Sequence, residues 1–238
     1  MSQIEAVKAE HRTSRSRVDD LQIVRDRSLY ERRFKRPIDV VGALIVLIIA
    51  SPIIVGIALL IRWRLGKGVL YTQQRVGAGQ EPFTIYKFRT MRPDRRQRQI
   101  DLTDTQDRRS MHKRLDDPRH TRLGRLLRRL SLDELPQLLN VLRGDMSLVG
   151  PRPEIFEVAR DRGYLDHPRH EVKPGMTGPY QVSDLRLNGD LLDGLEVDAE
   201  YVNTLTAKND LRYVAKTCLL YTSPSPRDRT RSRMPSSA

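Results

Sequence analysis

Residues 131–154 read SLDELPQLLNVLRGDMSLVGPRPE, and the rest of the chain is interpretable as support for this stretch. An adjacent carboxylate pair, Asp133 and Glu134, heads an apolar run from Leu135 to Leu142, with Arg128 and Arg129 just upstream. Ser131 and Glu134 have the spacing of a capping box, which places both acids in a first helical turn. Pro136 conflicts with that register, because at the fifth helical position it deletes a hydrogen bond; an N-cap at Asp133 removes the conflict. In both registers the acids lie at the positive end of the helix dipole, which favours their ionised form. An ionised pair beside arginines at a helix N-terminus suits the holding of a divalent cation against phosphates. The same residues equally describe a capping acid and a neighbour on a solvated helix end.

Upstream, Leu123, Leu126, Leu127 and Leu130 recur at helical spacing, with Arg122, Arg125, Arg128 and Arg129 largely off that stripe. A core-facing helix and an amphipathic helix at a membrane surface both give this pattern. Arg92 to Arg119 is a charged connector. Val69 to Met91 alternates like two paired strands, VLYTQQRV and PFTIYKFRTM, around a Gly77-Ala78-Gly79 turn. Lys87 and Arg89, two apart, would share one face of the second strand, either as phosphate contacts or as a solvated basic edge.

Downstream, a helix is predicted over Glu154 to Arg162, and KPGMTGPYQV (173–182) reads as a turn-rich loop leading into a short extended piece. His167-Pro-Arg-His170 lacks the cysteine or further histidine that a zinc site needs. Leu191 to Thr217 reads as one or two helices burying Val197, Tyr201, Val202, Leu205, Leu211 and Val214.

Ile38 to Ile61, IDVVGALIVLIIASPIIVGIALLI, is long and apolar enough to cross a bilayer core as a straight helix. Ser51-Pro52 falls at its midpoint, where proline removes a backbone hydrogen bond. Basic residues also flank it on both sides, whereas a spanning helix keeps its Lys/Arg excess on one. A kinked spanning helix and a broken helix returning to the same face both remain open on these grounds.

The 238 residues carry 43 Lys+Arg against 30 Asp+Glu, a net charge of +13, which calls for an anionic partner. Aromatic residues make up only 5%, which argues against base-stacking platforms for single-stranded nucleic acid, and no nucleic-acid partner is expected. The single cysteine, Cys218, excludes an internal disulfide framework. Residues 1–30 form a polar leader rather than a signal peptide, because the apolar run begins too late. From Cys218 the chain turns rich in Ser, Pro and Arg; this tail is expected to be disordered, and it resembles translated sequencing-adapter read-through.

A KRPxD-led apolar segment with a central Ser-Pro, TQQRVGxxxxPFxIYKFRTM, SLDELPQLLNVLRGDMSLVGPRPE and KPGMTGxxQV, in that order over about residues 31–217, resemble the bacterial sugar transferase family. These are monotopic polyprenyl-phosphate sugar-1-phosphate (phosphoglycosyl) transferases, and the likeness is to their short form. The resemblance implies transfer of a sugar 1-phosphate from a nucleoside diphosphate sugar, usually a UDP-sugar, to polyprenyl phosphate, with UMP released. It implies a ping-pong route through a phosphosugar carried on Asp133, with Glu134 helping to hold Mg²⁺. It matches Arg128 and Arg152, with Lys87 or Arg89, to phosphate-contacting positions, and Ser51-Pro52 to a helix break that makes the membrane segment re-entrant. The implied setting is the cytoplasmic face of the bacterial inner membrane, among lipids and downstream glycosyltransferases, at the first membrane step of exopolysaccharide, capsule, O-antigen (lipopolysaccharide) or glycoprotein glycan synthesis. The loop TGPYQVSDLR departs from the family's TGWAQVNGR at Pro179, Asp184 and Leu185, with Arg186 the nearest substitute for its arginine, which leaves sugar specificity open.

The expected organisation is therefore a leader (1–30), a re-entrant membrane helix (31–66), a cytoplasmic catalytic domain (67–217) and a tail (218–238). The expected fold class is α+β, a helix-rich domain with a small β-hairpin. The competing readings are a membrane-tethered binder of nucleic acid or anionic lipid without catalysis, and a catalytically dead scaffold.

Overall fold

The computed structural model describes residues 27–91, 121–183 and 191–222. Helix α1 (Lys35–Leu65), entered through a π-helical turn at Tyr30–Phe34, is the longest element. The chain stays helical through Ser51-Pro52 rather than parting into two helices there. Proline deprives the Ile48 carbonyl of its usual amide donor. The Ser51 hydroxyl donates to that same carbonyl at 2.8 Å, so the lost bond is replaced locally.

Both halves of α1 pack against one body. Ala43 and Leu47 join a core of Ile85, Leu138, Val141 and Met146. Ile57 and Ile61 join Phe88 and Leu127, and Leu135 touches both groups. Between them Ile48 and Ile49 are 70% and 73% exposed, so the proline-bearing middle projects from the body as bare apolar surface.

Strands β1 (Leu70–Val76) and β2 (Pro82–Phe88) form the expected antiparallel hairpin, with Leu70 opposite Phe88 and Val76 opposite Pro82. Helix α2 (Arg122–Arg129) is capped by Thr121, whose hydroxyl accepts the Gly124 amide at 2.9 Å. Its leucines divide: Leu127 is buried, while Leu126 and Leu130 are exposed. A 3₁₀ helix (Leu132–Gln137) then runs directly into α3 (Leu138–Arg143), which Gly144 ends in the left-handed conformation, its amide reaching the Asn140 and Val141 carbonyls.

Strand β3 (Ser147–Val149) pairs in parallel with β4 (Gly175–Thr177), a sheet not anticipated. Helix α4 spans Phe156–Asp161, shorter than predicted because Ile155 is extended. The extended piece of 173–182 comes first, as β4, and Pro179 then opens the helical turn α5 (Pro179–Val182), where its fixed φ suits the first position. Helices α6 (Leu191–Asn203) and α7 (Ala207–Thr222) close the fold. Tyr201, Val202 and Leu205 are buried as expected; Leu211 and Val214 are instead exposed. The helical part of α7 reaches Thr222, so the composition break at Cys218 does not mark its end.

The KRPxD segment is the joint between α1 and the body. Lys35 Nζ donates to Asp210 Oδ2 at 2.6 Å and to the Val149 carbonyl at 3.0 Å. The hydroxyls of Tyr30 and Tyr201 also donate to Asp210, at 2.8 and 2.7 Å. Arg36 donates to the Val141 and Leu142 carbonyls at the end of α3, and Asp39 accepts the Leu148 amide at 3.0 Å. At the other end, Arg89 donates to the Leu65, Gly66 and Lys67 carbonyls, the donor-poor C-terminus of α1.

Candidate functional site

Ser131 takes a left-handed backbone conformation (φ 54°) and its side chain makes no capping bond, so neither the capping box nor an N-cap at Asp133 forms. The turn is held by backbone bonds instead, Ser131 N–H to Arg128 and Glu134 N–H to Ser131. Pro136 is tolerated because the tighter 3₁₀ turn needs few amides at that point, and α3 proper starts only after it. Asp133 and Glu134 do occupy the first turn, at its second and third positions.

Asn140 supplies the alignment. Its side chain donates to the Thr84 carbonyl at 2.7 Å and accepts the Tyr86 amide at 3.0 Å, copying a strand neighbour along the edge of β2. That lock brings Lys87, the next residue along β2, onto Glu134, with Nζ 2.7 Å from Oε1. Arg128, from α2, donates to Thr90 Oγ1 at 2.9 Å.

The charges follow from this arrangement. Burial pushes Asp133 upward, Glu134 adds to that, and Lys87 and Arg128 pull the other way; the net is a rise from its ordinary value. Burial also works to raise Glu134, but Lys87 and Arg152 outweigh it and hold the carboxyl low. The pair is therefore differentiated: Glu134 is the firmly ionised partner, and Asp133 is the carboxylate whose charge is less well compensated.

A cleft opens beside Glu134, lined by Lys87, Arg152, Arg75, Gln137, Gln181 and Met176. Arg75, Gln137 and Gln181 are contributions that the sequence reading missed. Arg75 donates to the Pro153 carbonyl and to Gln73, and burial followed by Arg152 pushes its pKa down to about 10. Among the described residues Arg75 Nε, Gln137 Nε2 and Gln181 Oε1 are buried without a hydrogen-bond partner, which leaves donors and an acceptor for a polar ligand. The structure thus brings Lys87, Arg128, Arg152, Asp133 and Glu134 near one another. Arg89 is spent on the end of α1, and Ser51-Pro52 lies on the exposed apolar turn of the helix. Residues 184–186 lie outside the described residues.

Among the described residues no three His, Cys, Asp or Glu side chains converge. Two adjacent carboxylates, one raised by burial and then by the other's charge, still fit a hard divalent ion that completes its shell with water and phosphate oxygens. His167 and His170 are buried; burial, then Arg169, lowers their pKa values to about 4 and about 3, which marks them as neutral packing groups.

A family model described as "Bacterial sugar transferase" matches residues 30–223. The "Uncharacterized sugar transferase EpsL" of Bacillus subtilis is 42% identical over 149 residues, covering 63% of this chain and 68% of that protein. The "UDP-glucose:undecaprenyl-phosphate glucose-1-phosphate transferase" of Caulobacter vibrioides is 40% identical over 192 residues, covering 77% of this chain and 67% of that protein. The "Undecaprenyl-phosphate galactose phosphotransferase" of Salmonella typhimurium is 39% identical over 193 residues, 78% of this chain but 40% of that protein. Several other relatives are likewise longer, the chain spanning 34% to 42% of their length.

Proposed function

The chain belongs to the bacterial sugar transferase family, and from that premise we propose that it is a phosphoglycosyl transferase moving a sugar 1-phosphate from a UDP-sugar to polyprenyl phosphate. The products are polyprenyl-diphosphate sugar and UMP, made at the cytoplasmic face of the bacterial inner membrane as the first membrane step of a surface glycan. The observation that carries this reading is the differentiated acid pair, with Asp133 under-compensated beside Glu134, Lys87 and two arginines at a polar cleft. Relatives named for glucose and for galactose transfer support the reaction class and leave the sugar open.

In the first half-reaction an Asp133 carboxylate oxygen attacks the phosphorus that bears the sugar. The bond from that phosphorus to the bridging oxygen breaks, and UMP leaves with the electron pair. In the second, a polyprenyl phosphate oxygen attacks the same phosphorus and the Asp133 carboxylate departs unchanged. Carboxylates are weak nucleophiles, so the protein must supply position and charge. Arg152 and Lys87 sit where phosphate oxygens would need neutralising, Arg128 stands beside Asp133, and Glu134 keeps Lys87 in place. A magnesium ion held by Asp133 and Glu134 would supply further neutralisation of phosphate charge.

The membrane segment is read as re-entrant. The contacts of Ala43 and Leu47 on one side of Pro52, and of Ile57 and Ile61 on the other, with one shared body support a helix that dips and returns. Its apex would be the exposed Ile48-to-Ile53 stretch. Such a mount holds the cleft at headgroup depth, where a lipid phosphate resides.

The test is a panel of UDP-sugars with polyprenyl phosphate and Mg²⁺, read as UMP release, together with donor alone, read as intact mass. UMP release with one sugar and a phosphosugar mass increment on the peptide holding residue 133 are expected, and Asp133→Asn should abolish both. No release with any sugar sinks the reaction; release without an increment sinks the covalent route.

A further inference from the structure

Four consecutive carbonyls, those of residues 151 to 154, each accept a hydrogen bond, two from neighbouring residues of β1, one from β4 and one from Arg169. Pro151 accepts from Gly175 N–H at 2.8 Å and Glu154 from Val76 N–H at 2.9 Å. Pro153 accepts from Arg75 at 3.1 Å, and Arg152 from Arg169 Nη2. Prolines at 151 and 153 fix φ on either side of Arg152. The Arg152 side chain is exposed, lines the cleft and acts on Glu134, so a tethered backbone presents its guanidinium to the cleft.

Arg169 is not among the residues that line the cleft. It is 5% exposed, and has Asp198, 1% exposed, against it with Nη2 2.8 Å from Oδ2. Its backbone is fixed as well, since its amide donates to His167 Nδ1 at 3.2 Å. Asp198 comes from α6, so this pair ties the last third of the chain to the Pro-Arg-Pro segment. A buried ion pair gives little net stability over an apolar pair of like volume. What an apolar pair could not supply is a charge-assisted donor to the Arg152 carbonyl in a poorly solvated setting.

We propose that Arg169, anchored by Asp198, is a positioning residue that acts through Arg152, holding that carbonyl so that the Arg152 guanidinium stays over the phosphate side of Glu134. This rests on the preceding assignment of Arg152 as a phosphate contact.

The test replaces the pair by apolar residues, Arg169→Met with Asp198→Leu, in the full chain in detergent or native membranes. No buried charge is left uncompensated, so the thermal midpoint should stay near that of the unaltered protein. UMP release should nevertheless fall about 10- to 100-fold, the scale of an ångström-level misplacement. On an Arg152→Met background the same two changes should cost less than about twofold more, because both routes remove one interaction. Hydrogen exchange at the Gly175 and Val76 amides, which donate to the Pro151 and Glu154 carbonyls, should accelerate, a readout that needs no catalysis. Arg169→Lys, which keeps a charge beside Asp198 but loses the fork, should show the same exchange and rate changes in smaller measure; it decides the matter if the apolar pair does not fold. Multiplicative losses on the Arg152→Met background, or unaltered rate and exchange in a folded variant, would overturn the proposal. If the unaltered protein releases no UMP from any donor, the reaction assignment fails, and the exchange measurement still judges the tether.

Discussion

Lys87 touches Glu134 directly and also lowers the pKa of Asp133, so one ammonium group conditions both acids. Removing it in Lys87→Met lets both carboxyls rise. A protonated Asp133 cannot attack phosphorus, so the acid limb of the kcat/KM profile should move to higher pH, with a rate loss of about tenfold or more at neutrality. An acid limb that stays in place would mean that Lys87 does not set the charge of the nucleophile. Gly124 is a second single-residue test, since a Cβ there would lie 1.9 Å from the Thr90 carbonyl oxygen. Gly124→Ala should lower stability by about 1–3 kcal/mol in chemical denaturation. It should also disturb Arg128, which leans on the Thr90 hydroxyl. The acids were legible in the sequence because two adjacent carboxylates before an apolar run break the local pattern. Arg75 was not, because in a chain with 43 Lys+Arg one more basic residue on a strand carries no signal. Asn140 was hidden too: inside an apolar run nothing in the sequence says that its amide will serve as a strand edge for β2.

At the scale of elements, α1 is fastened at both ends by charged groups that the sequence reading placed elsewhere. The symmetric basic flanks were legible, and they were read as membrane topology. The structure gives Lys35 and Arg36, on one of those flanks, the further task of docking the helix on the body, and at the other end the task falls to Arg89, just past β2, which had been read as a phosphate contact. The pairing partner Asp210 is 175 residues away, beyond the reach of any local pattern. Lys35→Met leaves Asp210 buried with only two phenol donors, and should cost about 3–5 kcal/mol, the range for breaking a buried pair. Limited proteolysis should then release the segment around Tyr30 from α7, whereas a protected segment would show that Tyr30 and Tyr201 suffice. Leu211 and Val214 were misassigned for a related reason. Helical spacing identifies a stripe, but the α7 residue that packs on the core of Tyr201 and Val202 is Tyr213, beside that stripe. Topology has its own check: in a Cys218→Ser background, cysteines at Ser28 and Lys67 should label from the same, cytoplasmic, side. Labelling from opposite sides would replace the re-entrant helix by a spanning one.

For the whole molecule, the buried titratable groups behind the Pro-Arg-Pro segment set how stability responds to acid. His167 and His170 stay neutral in the fold down to about pH 4 and about pH 3, while in the unfolded chain they take up protons near pH 6.5. Between those limits the unfolded state binds two more protons, so stability falls as pH falls. Asp198 acts in the opposite sense. Burial raises it to about 6, against the pull of Arg169, so the folded state gains one proton between about pH 6 and the unfolded value of 3.8. Near pH 5 the balance is two protons favouring the unfolded chain against one favouring the fold. The net remains a loss of stability on acidification, at about half the slope that the histidines alone would give, or roughly 1.4 kcal/mol per pH unit. Denaturation midpoints in detergent should therefore decline from pH 6.5 to 4.5. His167→Gln with His170→Gln, which removes the two groups that charge only on unfolding, should reverse the slope so that stability rises toward pH 4.5 through Asp198 alone. A double variant whose stability still declines on acidification would show that the acid sensitivity lies elsewhere, with the acid pair at 133 and 134 the next place to look.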